Sequence, residues 1–135
     1  MILDDAADLL SSGGIGTVGT NLFKGIMPDI PDACVAVFET GGLPPVHAMA
    51  SAVGQAVVER PRIQVLCRAA QYDYATARTK AHDVYKLLDG LPARDINGTA
   101  YKWIAAVQSP FFIGPDANGR VLISCNFDVV KALTA

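Results

Sequence analysis

Hydrophobic and polar positions recur along this chain with two different periods, and the switches between them mark out its elements. Ile2, Leu3, Ala6, Leu9 and Leu10 return at helical spacing, with Asp4, Asp5 and Asp8 early in the run, where a helix dipole favours anions. Residues 2–12 are therefore expected to form a short amphipathic helix, closed by Gly13-Gly14 because glycine accepts the left-handed conformation of a last turn. After a loop to Thr20, Asn21–Met27 and then Ala33–Glu39 read as strands, separated by turn-forming Pro28 and Pro31. The clearest unit spans Glu59 to Ala69. There Ile63, Val65 and Cys67 point one way while Arg62, Gln64 and Arg68 point the other, the period of a strand with one buried face, interrupted only by Leu66. Pro61 lacks a donor and is placed at that strand's first residue, so pairing is expected to begin near Arg62.

Asp73 then suits the N-cap of a helix reaching Leu88, with Tyr74, Ala77, Ala81, Val84, Tyr85 and Leu88 as its apolar stripe and Arg78, Lys80, Asp83 and Lys86 outside. Asn97-Gly98 signals a turn, and Thr99–Gln108 alternates again, with Tyr101, Trp103, Ala105 and Val107 on one face. The run Ser109-Pro110-Phe111-Phe112-Ile113-Gly114-Pro115 breaks this strand, and residues 116–119 make the next turn. In the last strand Val121, Ile123, Cys125, Phe127 and Val129 face inward, opposite Leu122, Ser124, Asn126 and Asp128. The order predicts a single α+β domain over residues 1–135: a mainly antiparallel β-sheet with two helices packed on it and a long inter-strand loop.

That loop, Thr40 to Val58, carries no charged residue. Connections of this length in a compact domain are uncommon and usually functional or disordered, and disorder favours charge over the Leu43, Val46, Met49, Val53, Val57 and Val58 found here. It reads as a protruding arm at about 40–58 that docks onto a partner, with an intramolecular flap over the domain's own core as the alternative. Composition points the same way. The chain is 51% hydrophobic and 18% charged with a mean hydropathy of +0.30, more apolar than an average soluble domain. A net charge of −2 and a pI near 5.5 provide no general attraction to nucleic acid or anionic membrane. The first residues lack the basic region of a secretory signal, and the charge-free stretch holds too many Gly, Pro and Ser for a membrane span, so no membrane role is expected.

Candidate chemistry is sparse. Cys34, Cys67 and Cys125 are odd in number, widely spaced and set in apolar runs, as buried reduced thiols would be. His47 and His82 have no metal-ligand spacing to another His or Cys, and neither a nucleophile elbow nor a phosphate-binding Lys loop is present. Gly14-Ile15-Gly16-Thr17-Val18-Gly19 matches a dinucleotide fingerprint in letters, yet it follows a helix and precedes a strand, the reverse of the context in which a helix N-terminus meets a pyrophosphate. It is expected to be a connector. No enzyme, cofactor or metal is read from these residues. Arg60, Arg62 and Arg68 on one strand face, with Arg78, Lys80 and Lys86 on the next helix, make a basic zone that is either solvated or meets Asp4, Asp5 and Asp8 of a neighbouring subunit.

The run Glu59-Arg60-Pro61-Arg62-Ile63-Gln64-Val65, then Tyr72-Asp73-Tyr74 and Ala77 leading a helix to Leu88, resembles the tail terminator proteins of long-tailed bacteriophages, also labelled minor capsid or tail completion proteins. Ser109 to Asp116, Gly119-Arg120 and Ser124-Cys125-Asn126-Phe127 resemble the same family's closing turn and strand. The resemblance implies a virion subunit of the neck, assembled in the host cytoplasm, that forms a homo-hexameric ring on the tail tube, stops tube polymerisation and joins the head. Its implied partners are the major tail tube protein and a head–tail connector or adaptor protein, with DNA passing through the lumen without specific binding. Contact with the tube or a neighbouring subunit would fall on Leu43, Pro44, Pro45, Val46, His47, Met49 and Val53. Charges at the subunit interface would be Asp4, Asp5, Asp8, Arg60, Arg62, Arg68, Arg78 and Lys80. The competing readings are a head completion or connector adaptor protein and a small cytosolic ligand-binding domain.

Overall fold

A computed structural model describes residues 2–47 and 56–132, without the side chains of residues 56 and 57. Helix α1 (Ile2–Ser12) leads to β1 (Leu22–Lys24), β2 (Cys34–His47) and β3 (Ala56–Gln71); helix α2 (Tyr74–Leu88) follows, then β4 (Arg94–Ile96), β5 (Thr99–Ala106), β6 (Phe111–Pro115) and β7 (Arg120–Ala132). The strands form one sheet in the order β1-β2-β3-β7-β5-β4, with β6 beside β7, and only β1 and β2 run parallel. This is an α+β fold, as its alternating pattern predicts. β3 and β7 form the centre, paired from Val58–Ala132 to Gln71–Arg120. Both helices lie on the face that carries Val35, Val37, Ile63, Val65, Cys67, Ile123, Cys125 and Phe127, all buried in one cluster with Leu10, Ala81, Val84 and Leu88.

Local chemistry closes both helices as expected. Gly14 (φ 79°) sits beyond α1, where its amide donates to Ser11 O and the Ile15 amide to Leu10 O, the paired bonds of a left-handed helix stop. Asp73 accepts from the Thr76 amide at 3.2 Å and caps α2. The alternation of β7 also holds, with Val121, Ile123, Cys125, Phe127 and Val129 all buried.

Four expectations change. Trp103 does not share a face with Tyr101. The register moves from Tyr101–Lys131 to Trp103–Val130, so an extra residue bulges at Lys102, Tyr101 and Ile104 turn inward and Trp103 is 43% exposed. Tyr74 leaves the α2 stripe for the surface, and its ring meets Phe112 edge-on at 5.8 Å. Pro61 lies within β3 rather than at its start, since pairing extends back to Ala56. Proline fits there because β2 bulges next to it and the β7 ladder, without changing register, is interrupted at Arg60 and Pro61. Finally, the segment expected to break the chain after β5 forms β6, held along β7 from Phe111–Ser124 to Pro115–Val121.

Candidate functional site

The expected arm is, over residues 40–47 and 56–58, an extension of the β2–β3 hairpin beyond the domain core, and residues 48–55, with Met49 and Val53, lie outside the described residues. β1 covers the outer edge of β2 only as far as Val37. Beyond it every β2 residue from Glu39 to His47 is exposed, including Leu43 at 49% and Val46 at 42%. Three register shifts bend this edge, one after Glu39, one between Leu43 and Val46 at Pro44-Pro45, and one between Val46 and His47. At Gly42 (φ 145°) the strands approach so closely that a Cβ would sit 2.4 Å from the Arg60 carbonyl oxygen, which only glycine avoids. Two prolines and three register shifts remove donors and regularity from the open edge, so it presents side-chain surface and resists strand addition.

A second apolar surface lies at the opposite end of the strands, and the sequence reading passed over it. Phe111, Phe112 and Ile113 of β6 are 38%, 49% and 45% exposed. Phe112 pairs with Ile123 and leans on Tyr74 on the helix side, Phe111 pairs with Ser124 and faces the other way, and Ile113 occupies a bulge before Gly114. Tyr72, just after β3, is 86% exposed and has φ 61°, a backbone conformation that bulky residues rarely adopt. The signal was present in Pro-Phe-Phe-Ile-Gly-Pro, but bounding prolines read as a break when the partner strand lies beyond the next turn.

The expected interface charges divide. α2 packs on the inward face of the sheet, whereas Arg60 and Arg62 project from the other, so Arg78 and Lys80 do not join those two in one patch; Arg68 and Lys80 both line a cavity beside Ile15 and Cys34. Most of these cations hold loops by their carbonyls. Arg60 Nε donates to Pro44 O at 2.8 Å, Arg78 to Pro110 O at 2.6 Å and Lys80 to Ile15 O at 3.2 Å. Arg68, buried, donates to the carbonyls of Pro28, Pro31 and Asp32. Proline-rich segments cannot pair these carbonyls in a ladder, and guanidinium donors satisfy them instead. Arg62 reaches Asp128 at 2.7 Å across β3 and β7. On α1, Asp4 meets Lys24 at 2.7 Å, and that hydrogen bond holds its carboxyl below the ordinary value. Asp8 accepts from Asn97, while Asp5 is buried between Asn97 and Tyr101. Asp5 and Arg68 thus spend their bonding capacity inside the chain.

The Gly14–Gly19 loop also turns inward. Asn21 Oδ1 accepts from the Thr17 amide, and Thr17 O accepts from the amides of Thr20, Asn21 and Leu22, which leads directly into β1. The three cysteines are buried. Cys67 and Cys125 are diagonal neighbours on the inward face, Cys67 opposite Ile123 and Cys125 opposite Val65, and the hydrogen bond between them, together with burial, pushes the Cys67 thiol well up. His82 lies on the exterior of α2 beside Tyr85, and His47 is exposed on the hairpin. Among the described residues no group of three His, Cys, Asp or Glu side chains gathers as metal ligands would.

A sheet with helices on one face, a charge-free hairpin at one end and an aromatic edge at the other defines a subunit built for assembly. The chain belongs to the bacteriophage tail terminator protein family, whose sequence model matches residues 9–132. Two solved chains share the fold. One, from the virion of a native gene transfer agent particle, has a TM-score of 0.60 at 16% identity, covering 95% of this chain and 84% of its own. The other has a TM-score of 0.54 at 16% identity, covering 95% of this chain and 89% of its own. No curated protein sequence matches the chain. The protein is accordingly a structural component of the phage tail, and none of its described helices is long and apolar enough to cross a membrane.

Proposed function

We propose that six copies of this chain close into a ring on the end of the finished tail tube, stop its polymerisation and present the surface that joins the head through a connector or adaptor protein. Membership of the tail terminator family sets the context. The observation that carries the reading is the presence of two unlike apolar surfaces on one subunit, because a closed ring of identical chains needs two different, complementary patches on each. Leu43, Pro44, Pro45, Val46 and His47 of the hairpin serve as contact residues toward the tube or the next subunit. Asp4, Asp8, Arg60 and Arg62 retain exposed surface and set register more than affinity. With a net charge of −2, the lumen lets DNA pass without specific binding. In this reading the ring belongs to the virion neck and assembles in the host cytoplasm.

The test is the mass of the purified protein by native mass spectrometry, with and without assembled tail tubes. The expected species is six times the 14.2 kDa chain, free or tube-induced. A strict monomer that ignores tubes would refute the ring. Deleting residues 44–57 checks the hairpin's role, since Leu43 pairs with Arg60 and the shortened strands still close. That variant is expected to fold but not to cap tubes; its unfolding would show that the hairpin serves the core.

A further inference from the structure

We propose that Asn118-Gly119 is a site of spontaneous modification, at which loss of the Asn118 side-chain amide loosens the hold of Arg120 on the loop at residues 28–32. The sequence carries the Asn-Gly pair twice, at 97–98 and at 118–119. In such a pair the backbone nitrogen after asparagine is unshielded, because glycine has no Cβ, and it is free to approach the side-chain carbonyl. The Gly119 nitrogen bonds to Asn118 Cγ and the Cγ–Nδ2 bond breaks, so that ammonia leaves and a succinimide ring closes. Water then opens the ring at either carbonyl, giving aspartate or, with the main chain rerouted through the side chain, isoaspartate. The exchange consumes one water, releases one ammonia and needs no oxidant or reductant.

The structure tells the two pairs apart. Asn97 Nδ2 donates to Asp5 and to Asp8, at 2.8 Å in each case, which spends both amide hydrogens and ties the side chain to α1. Asn118 lies exposed in the turn before β7, and among the described residues its side-chain amide has no hydrogen-bond partner. The Gly119 amide has one bond to release before attack, to Asp116 O at 3.0 Å. Asn118 also stands beside what the reaction disturbs, lining one cleft with Asp29, Ile30, Asp32, Gln71 and Arg120. There the buried Arg120 holds Asp29, Asp32 and Asp116 by its guanidinium, while Asp116 accepts from the amides of Asn118 and Arg120. A carboxylate at 118 adds a fourth negative charge around one cation, and like charges repel. Isoaspartate further inserts a methylene into the main chain of a turn built on the bonds of residues 118 and 120. Arg68 keeps its own bonds to the carbonyls of Pro28, Pro31 and Asp32, so the loop loosens without the sheet opening.

The test ages the purified chain in mildly alkaline buffer, folded and in urea, and follows its peptides by mass, since exchange of an amide for an acid adds one dalton. In urea both asparagines are expected to react alike. In the folded chain Asn118 is expected to react faster than Asn97 by about tenfold or more, because hydrogen bonds to charged groups restrain only Asn97. Amide exchange at Asp29, Ile30 and Asp32 is expected to accelerate about tenfold in the modified chain, with exchange in β3 and β7 unchanged. Asn118→Gln, whose longer side chain closes the ring far more slowly, is expected to hold the loop unaltered through the same ageing. Equal rates at the two asparagines of the folded chain, a faster Asn97, or an inert Asn118 where the urea-treated chain reacts would overturn the site. Modification at 118 with unaltered exchange in the loop would overturn the release, as would loosening of the loop in aged Asn118→Gln.

Discussion

Replacing Tyr101 with Phe removes a hydrogen-bond donor to Asp5, the only buried carboxylate among the described residues, and its cost can be worked from the contacts. Asp5 is 2% exposed and accepts hydrogen bonds from Tyr101 Oη and, at 2.8 Å, from Asn97 Nδ2. Burial, reinforced by the bond to Asp5, pushes the Tyr101 hydroxyl well above its ordinary range, so at neutral pH the tyrosine keeps its proton and is the donor. A hydrogen bond to a charged group contributes about 1.5–3 kcal/mol, and the substitution leaves almost no cavity. Tyr101→Phe is therefore expected to lower stability by about 2 kcal/mol, or roughly 8 °C in Tm for a domain of this size. Urea unfolding at pH 7 measures this, with an unchanged denaturant slope confirming that only stability moved. In an Asp5→Ala background, where the acceptor is gone, the same substitution should cost less than about 0.5 kcal/mol. Equal costs in the two backgrounds would refute the argument, because the tyrosine would then act through packing alone and not through α1.

Val65→Asp buries an unpaired charge in the centre of β3, where Val65 is 0% exposed, and is expected to abolish cooperative folding by circular dichroism; a stable, soluble variant would mean that the faces of β3 are reversed. Gly42→Ala forces a Cβ against the Arg60 carbonyl at a φ hostile to side chains, so amide exchange at Leu43 and Val46 should accelerate while exchange in β7 stays slow; unchanged hairpin protection would contradict the close approach. Burial raises the Asp116 carboxyl, but bonds from the Arg120 and Asn118 amides and the Arg120 guanidinium outweigh it and hold the group below 3.8. Its folded value is thus depressed, so the stability it contributes is complete above pH 3.8 and is lost as pH falls through that lower value. An acid titration followed by unfolding should show this loss in the wild type and a flatter profile in Asp116→Ala; identical profiles would remove Asp116 from the network.

Both helices, their stops and the inward faces of β3 and β7 were legible in the sequence, and so was the hairpin region as a charge-free stretch. Helical hydrogen bonds and caps join residues three to five apart, so Asp73, Gly14 and the spacing of Ala77, Ala81, Val84 and Leu88 carry their own explanation. A strand's partner lies far off in sequence. Nothing local to Pro110–Pro115 announced that β7 would hold it as β6, nor that a bulge at Lys102 would turn Trp103 outward while Tyr101 reached Asp5. Arg62 and Arg68 share a strand face, yet the loop at Pro28–Asp32 covers one and leaves the other to pair with Asp128. The sequence by itself determined an apolar, catalytically sparse α+β subunit, because periodicity and composition act residue by residue. Only the tertiary structure decided which apolar groups stay outside the core, because exposure depends on what the rest of the chain can reach, and the hairpin and the aromatic edge lie at opposite ends of a sheet too long for either to cover the other.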